Sequence, residues 1–202
     1  MTADTIPRRS PLAHAAVRLS AATRASRGAV RLAELPCLTQ LDVRLDPKGP
    51  AADAVGIALG APLPTEPNTI VRTGHLTVLW LGPDEWLVVG PPETRELLQL
   101  DLLAALGTEH GSVVDVSAQR TTVLVGGPRA RDLLAHGCPI DLHPREFGHG
   151  QCAQTTLART QVVLVPRESR VPGYWVLVRS SFAGYLADWL VDAATEYVHG
   201  AG

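Results

Sequence analysis

A chain of 202 residues is long enough to bury a real core, as one large domain or two small ones wound together. With 46% hydrophobic and 19% charged residues it lies well outside the compositions that stay disordered. Lysine and arginine number 18 against 20 acids, and a formal net charge of -2 excludes the positive field that nucleic acid or an anionic membrane surface would require.

Residues 1–28 carry Arg8, Arg9, Arg18, Arg24 and Arg27 against the single acid Asp4, with many alanines and serines. This composition suits a flexible arm lying on a partner or on the body, a targeting segment, or plain disorder. His14 and Arg18 interrupt the only apolar stretch that a secretory signal could use. Over 30–45 two strands turn near Pro36-Cys37, and residues 46–50 then break the chain before a short helix over 51–59. A proline-rich loop over 61–68 leads to the clearest hairpin, 75–81 and 86–89. Its turn, Gly82-Pro83-Asp84-Glu85, has a proline that presets φ and brings the Trp80 and Trp86 strands together. Gly90-Pro91-Pro92 opens a helix that runs to Leu106, where Gly107 closes it.

The second half repeats this grammar. Strands over 112–116 and 121–125 lead through Gly127-Pro128 into a helix over 129–136 closed by Gly137. Strands over 154–158, 161–165 and 174–178 feed a final helix, with Ser180 or Ser181 as its cap. On that helix Phe182, Tyr185, Leu186, Trp189, Leu190 and Ala193 share one face, which is expected to be buried against the sheet or against another subunit. The fold class is therefore α+β, with two similar tandem modules of antiparallel sheet and packed helices over 29–110 and 111–202.

Chemistry-bearing groups are sparse. Asp115 and Ser117 lie two apart on one strand face, but no G-x-S-x-G elbow surrounds Ser117 and no histidine stands in a recognisable relation to it. A structural role fits better, with Asp115 accepting from a backbone N–H or from Arg120 and Ser117 starting the turn. Cys138, His143, His149 and Cys152 group soft ligands in one region, yet the C-x4-H-x5-H-x2-C spacing matches no common zinc pattern. Three widely spaced cysteines, odd in number and with no secretory segment before them, suggest reduced thiols in a cytoplasmic protein. Gly126-Gly127-Pro128 resembles neither a Walker A loop nor G-x-G-x-x-G. Arg179, where a strand enters the last helix, suits a carboxylate of a ligand or of a partner chain, or an internal salt bridge. No residue is assigned to catalysis, to a cofactor or to a metal. Asp115, Ser117, Arg120 and Arg179 are the candidate anion or partner contacts. No apolar run approaches the roughly 20 residues that span a bilayer.

With these residues in place, the chain resembles the gamma-subunit family of heterotetrameric sarcosine oxidases and, more distantly, the folate-binding aminomethyltransferases of glycine cleavage. The likeness rests on Pro67-Asn68-Thr69, Leu79-Trp80-Leu81-Gly82-Pro83-Asp84-Glu85-Trp86, Val114-Asp115-Val116-Ser117, Ala130-Arg131-Asp132-Leu133-Leu134, Gly137-Cys138-Pro139-Ile140-Asp141-Leu142 and Arg179-Ser180-Ser181-Phe182, in that order. It implies an aminomethyltransferase-like fold and an accessory place in a complex that oxidatively demethylates sarcosine to glycine, with hydrogen peroxide and 5,10-methylenetetrahydrofolate formed. It also implies alpha, beta and delta partners that carry FAD, FMN, NAD, tetrahydrofolate and zinc, with no cofactor on this chain. The rival reading is a stand-alone folate-binding one-carbon transfer protein. Against it, the aminomethyltransferases place acids at the hairpin that here reads Ala158-Arg159-Thr160-Gln161-Val162, and neither Thr160 nor Gln161 can act as a carboxylate.

Overall fold

The computed structural model describes residues 8–167 and 170–198. Its elements run α1 (Ala16–Ala25), β1 (Arg31–Leu35), β2 (Thr39–Leu45), α2 (Pro50–Leu59), β3 (Ile70–Thr73), β4 (Leu76–Gly82), β5 (Glu85–Gly90) and α3 (Arg95–Leu106). They continue with β6 (Gly111–Asp115), β7 (Arg120–Gly126), α4 (Ala130–Ala135), β8 (Ala153–Leu157), β9 (Thr160–Pro166), β10 (Gly173–Arg179), α5 (Ser180–Ala193) and a short 3-10 turn, Ala194–Tyr197. After α1, the order ββαβββα occurs twice, as the duplicated pattern in the sequence suggests.

The strands form two antiparallel five-stranded sheets, β1-β7-β10-β9-β8 and β3-β4-β5-β2-β6. Read from matching ends, the sheets correspond strand for strand, but each half of the chain gives its first strand to the other's sheet. β1 pairs with β7 from Arg31 opposite Gly126 to Leu35 opposite Thr122, and β6 pairs with β2 from Leu41 opposite Asp115 to Leu45 opposite Gly111. A division at residue 110 therefore does not coincide with the sheets. β1 and β2 are consecutive strands, as expected, but they do not pair with each other.

Alternation along the strands explains the layering. On β10, Val176 and Val178 face the core beneath α1, α4 and α5, while Leu177 faces the other sheet. On β5, Trp86 and Val88 face the core beneath α2 and α3, while Leu87 and Val89 meet the opposing sheet. The result is helices, sheet, sheet, helices, with apolar layers between them. Trp86 is fully buried and its indole N–H donates to Pro64 O at 2.8 Å, so the ring's polar edge is satisfied where the proline-rich loop closes over it.

Four expectations are corrected. Residues 8–28 are not a loose arm, because Leu12, Ala15 and Leu19 are buried in the core shared with α5, and Arg18 on α1 pairs with Asp188 on α5. Residues 1–7 of that arm lie outside the described residues. The helix expected from Gly90 begins only at Arg95, since the intervening Pro91, Pro92 and Glu93 form a turn in which Glu93 has φ 68. α5 packs Leu186, Trp189, Leu190 and Ala193 of the expected face on the core but not its two remaining aromatics. It buries Ala183, Leu186, Ala187 and Leu190, which leaves Phe182 and Tyr185 exposed, because two alanines let the helix approach the sheet more closely than two aromatic rings could. Finally, neither Ser180 nor Ser181 caps α5. Arg179 is its N-cap residue, and the Ser180 hydroxyl donates instead to Ala118 O at 2.8 Å.

Candidate functional site

Leu41 and Val43 turn toward the helix-side core, so their neighbours Gln40 and Asp42 face the space between the sheets. Across that space the Gln40 side-chain amide donates to Arg120 O at 3.1 Å and binds one sheet to the other. The buried Gln40 Oε1 has no partner among the described residues. The Gln40 N–H donates to Ser117 Oγ at 2.9 Å.

Asp115 and Ser117 form a closed turn. Asp115 Oδ1 accepts the Ser117 N–H at 2.9 Å and the Ser117 hydroxyl at 2.5 Å, while Oδ2 accepts from Arg95 at 3.1 Å. The structural role expected for this pair is what these bonds describe, but the arginine is Arg95 of α3 and not Arg120. Burial alone would raise the Asp115 carboxyl, but the Ser117 and Arg95 hydrogen bonds outweigh it and hold the value below the usual carboxylate range. A lowered folded value means that Asp115 stabilises the fold at neutral pH. That contribution fades as the pH falls through its folded value. The Ser117 hydroxyl has Asp115 and the Gln40 backbone as partners, with no imidazole among them.

Arg120 separates two cavities. One, of about 400 Å³, is lined by Arg8, Arg9, Arg95, Asp115, Ser117 and Arg120, with Cys37, Thr121 and Ser180 also on its wall. The other, of about 450 Å³, is lined by Arg120, Arg179, Gln154, Thr155, Thr156 and Gln161 above the apolar Val163 and Leu177. Three of the four candidate contacts therefore meet in one cavity, and Arg179 joins Arg120 in the next. Arg179 stands directly opposite Arg120 in the β10–β7 pairing. Burial pushes the Arg120 guanidinium below its usual value and the nearby Arg179 pushes it further, against partial compensation by Asp42 and Glu85. Asp42 is in turn raised, by burial first and then by its close contact with Glu85, and both acids pair with Arg44. The sequence marks Arg8 and Arg9 only as charges of the N-terminal segment and does not single out Arg95 or Gln154, because the two cavities they line form only when α3, β8 and that segment pack.

The cysteine and histidine group does not assemble. Cys152 is buried between the sheets, its thiol directed at Thr69 O and Trp80 O, whereas Cys138 lies against the core under the helices and His143 and His149 are exposed. Among the described residues no three histidine, cysteine or acidic side chains are placed to hold a metal ion. Burial pushes the Cys152 thiol up to about 12, despite the Trp80 backbone contact, so almost none of it is thiolate near neutral pH. Iodoacetamide at about pH 8 should therefore leave Cys152 unmodified in the native chain and label it after denaturation. Peptide mass mapping that finds native labelling at Cys152 would contradict this burial.

The Gly126-Gly127-Pro128 junction is also occupied by the protein itself. The Gly127 N–H donates to Pro172 O at 3.0 Å and the Arg129 N–H to Ala29 O at 3.0 Å, so the junction anchors β1 instead of offering amides to an anion.

Residues 44–196 match the model of the sarcosine oxidase, gamma subunit family. Sarcosine oxidase subunit gamma of an Arthrobacter species is 40% identical over 191 residues, covering 94% of this chain and 91% of that one. The subunit gamma of Corynebacterium sp. strain P-1 is 38% identical over 195 residues, 96% and 93% of the two chains. Among solved structures, heterotetrameric sarcosine oxidase from Corynebacterium sp. U-96, in complex with pyrrole 2-carboxylate, contains a chain 38% identical with a TM-score of 0.89, covering 96% and 98%. Aminomethyltransferase T of the glycine cleavage system from Bartonella henselae shares the fold, with a TM-score of 0.64 at 14% identity over 86% of this chain and 48% of that one.

Proposed function

This chain belongs to the sarcosine oxidase gamma subunit family, and from that premise we propose that it serves as a non-catalytic accessory subunit held by alpha, beta and delta chains. In this reading the assembly is cytoplasmic and oxidatively demethylates sarcosine to glycine, with hydrogen peroxide and 5,10-methylenetetrahydrofolate as the other products. FAD, FMN, NAD, tetrahydrofolate and zinc belong to the partner chains. The carrying observation is the match to sarcosine oxidase gamma subunits over 94% and 96% of the chain. The accessory role is further supported by Ser117, whose hydroxyl is engaged by a carboxylate and a backbone amide in a turn, with no imidazole beside it. The unmatched position of the aminomethyltransferase acid agrees with it, since Thr160 is buried and Gln161 is an amide. Asp115, Ser117, Arg120 and Arg179 act as contacts, not as reacting groups.

A subunit needs a surface that is incomplete alone. α3 provides one. Its Leu98, Leu102 and Leu106 pack on the sheet, while Leu97, Leu100 and Leu103 remain 73%, 62% and 43% exposed in a row at i, i+3 and i+6. In this reading the row seats on the flavin-bearing chains. Co-expression with alpha, beta and delta should yield one complex containing this chain, and omitting it should lower the yield of assembled, flavin-loaded oxidase. Full assembly and full activity without it would remove the proposal. Titration of the isolated chain with a reduced folate tests the rival reading, which submillimolar binding would revive.

A further inference from the structure

We infer that Arg120 and Arg179 clamp the oxyanion of a small free ligand, a carboxylate or phosphate whose polar body lies along Gln154, Thr156 and Gln161 in the cavity they share. This site goes beyond the subunit role and does not depend on it. The two arginines stand directly opposite each other on neighbouring antiparallel strands, where like charges destabilise a sheet unless something offsets them. Among the described residues neither guanidinium takes part in an ion pair. The carboxylates closest to Arg120 are already engaged, because Glu85 accepts from Arg44 at 2.5 Å and Asp42 shares contacts with both Arg44 and Glu85. Asp115, on the far side of Arg120, is saturated by Ser117 and Arg95. The fold thus concentrates positive charge at one end of the cavity, offsets it only in part through Asp42 and Glu85, and leaves the remainder to something from outside.

The shape of the cavity identifies what that is. A guanidinium fork matches the two oxygens of a carboxylate or the oxygens of a phosphate, and two forks on adjacent strands match an anion held between them. At about 450 Å³ the cavity is far larger than a single carboxylate group needs, and beyond the arginines its wall is amide and hydroxyl over a floor of Val163 and Leu177. The Gln154 amide N–H is committed to Leu81 O at 2.7 Å, which fixes the side chain and leaves its oxygen to accept from a ligand. A lone acidic side chain reaching in from a partner would satisfy the arginines but leave these polar groups uncovered. A small molecule with an anionic head and hydrogen-bonding body fills both parts.

The test is calorimetric titration of the purified full chain with inorganic phosphate and with succinate, at ionic strength matched with chloride. It is accompanied by thermal melts of the wild type, Arg179→Gln and Arg120→Lys. At least one anion should bind the wild type and raise its melting temperature, and each variant should bind about tenfold more weakly or worse. Without anion, Arg179→Gln should melt above the wild type because the cross-strand repulsion is gone. With saturating anion the order should reverse. The Arg179 side chain is exposed and makes no hydrogen bond or ion pair among the described residues, so its replacement leaves the strand pairing in place and the comparison holds. The inference is overturned if the wild type responds only as it does to chloride, or if both variants bind as tightly as the wild type. It is also overturned if the isolated chain binds neither anion while Arg179→Glu drops out of the co-expressed complex, since the arginines then hold a partner's carboxylate. Normal assembly without anion binding would remove this site and leave the subunit role standing.

Discussion

The double substitution Leu97→Glu with Leu100→Glu is expected to exclude this chain from the assembled oxidase while leaving its own fold intact. Both side chains project from α3 into solvent, at 73% and 62% exposure, so in the free chain the change removes little buried area. Surface substitutions of this kind typically shift stability by no more than about 0.5 kcal/mol. In the assembly each leucine, once covered, contributes about 1.5–3 kcal/mol. Two carboxylates forced into that contact add a desolvation cost of their own. Together these amount to a loss of at least about 100-fold in affinity. Affinity capture through a tagged alpha chain reads the assembly, and a circular dichroism melt of the isolated variant reads the fold. Substituting Ile57 on α2, which is also exposed, by glutamate provides a comparison outside the α3 row. Undiminished capture of the double variant would place the interface elsewhere on the molecule.

Gly127→Ala should be among the most destabilising single-methyl additions in the chain, at about 3–5 kcal/mol. Gly127 holds φ at 111, and a Cβ there would stand 2.5 Å from Ala29 O and 2.9 Å from Val30 Cα. Both are backbone atoms, so no rotamer change relieves the clash. The segment cannot retreat either, because the Arg129 N–H is bonded to Ala29 O and β1 continues directly into its pairing with β7. The methyl therefore attacks the point where the first half of the chain enters the second half's sheet. Gly150→Ala is the control. It has φ 85 but open space around the added carbon, so only the backbone penalty of about 1 kcal/mol applies. Denaturant melts of the two variants separate the readings, and equal losses would show that Gly127 is not a close-packed crossing. Against a total stability of about 5–15 kcal/mol, the Gly127 loss would be plain in any melt.

Much of the local structure was legible in the residues. Gly82-Pro83-Asp84-Glu85 makes a tight connection whatever surrounds it, and β4 and β5 pair across it with Trp80 opposite Trp86. The break at 46–50 is followed by α2 within one residue of the expected 51–59. β3 does not stand out in the sequence because four residues at a sheet edge, after Pro67-Asn68-Thr69, carry too little alternation. On α5 only Phe182 and Tyr185 depart from the expected face, because counting apolar spacing rewards large rings, whereas the sheet selected Ala183 and Ala187 for close approach. The N-terminal arginines similarly hid the buried row of Leu12, Ala15 and Leu19.

The sequence by itself determined the α+β class, the repeated order of elements and the family. These follow from turn chemistry, periodicity and motif order, all of which act between near neighbours. Only the tertiary structure decided that β1 and β6 trade sheets, that Asp115 is held by Arg95, and that Arg120 faces Arg179. Strand pairing and charge contacts are chosen by backbone groups and side chains that many partners along the chain could satisfy locally. The choice among them falls to the packing of both sheets at once.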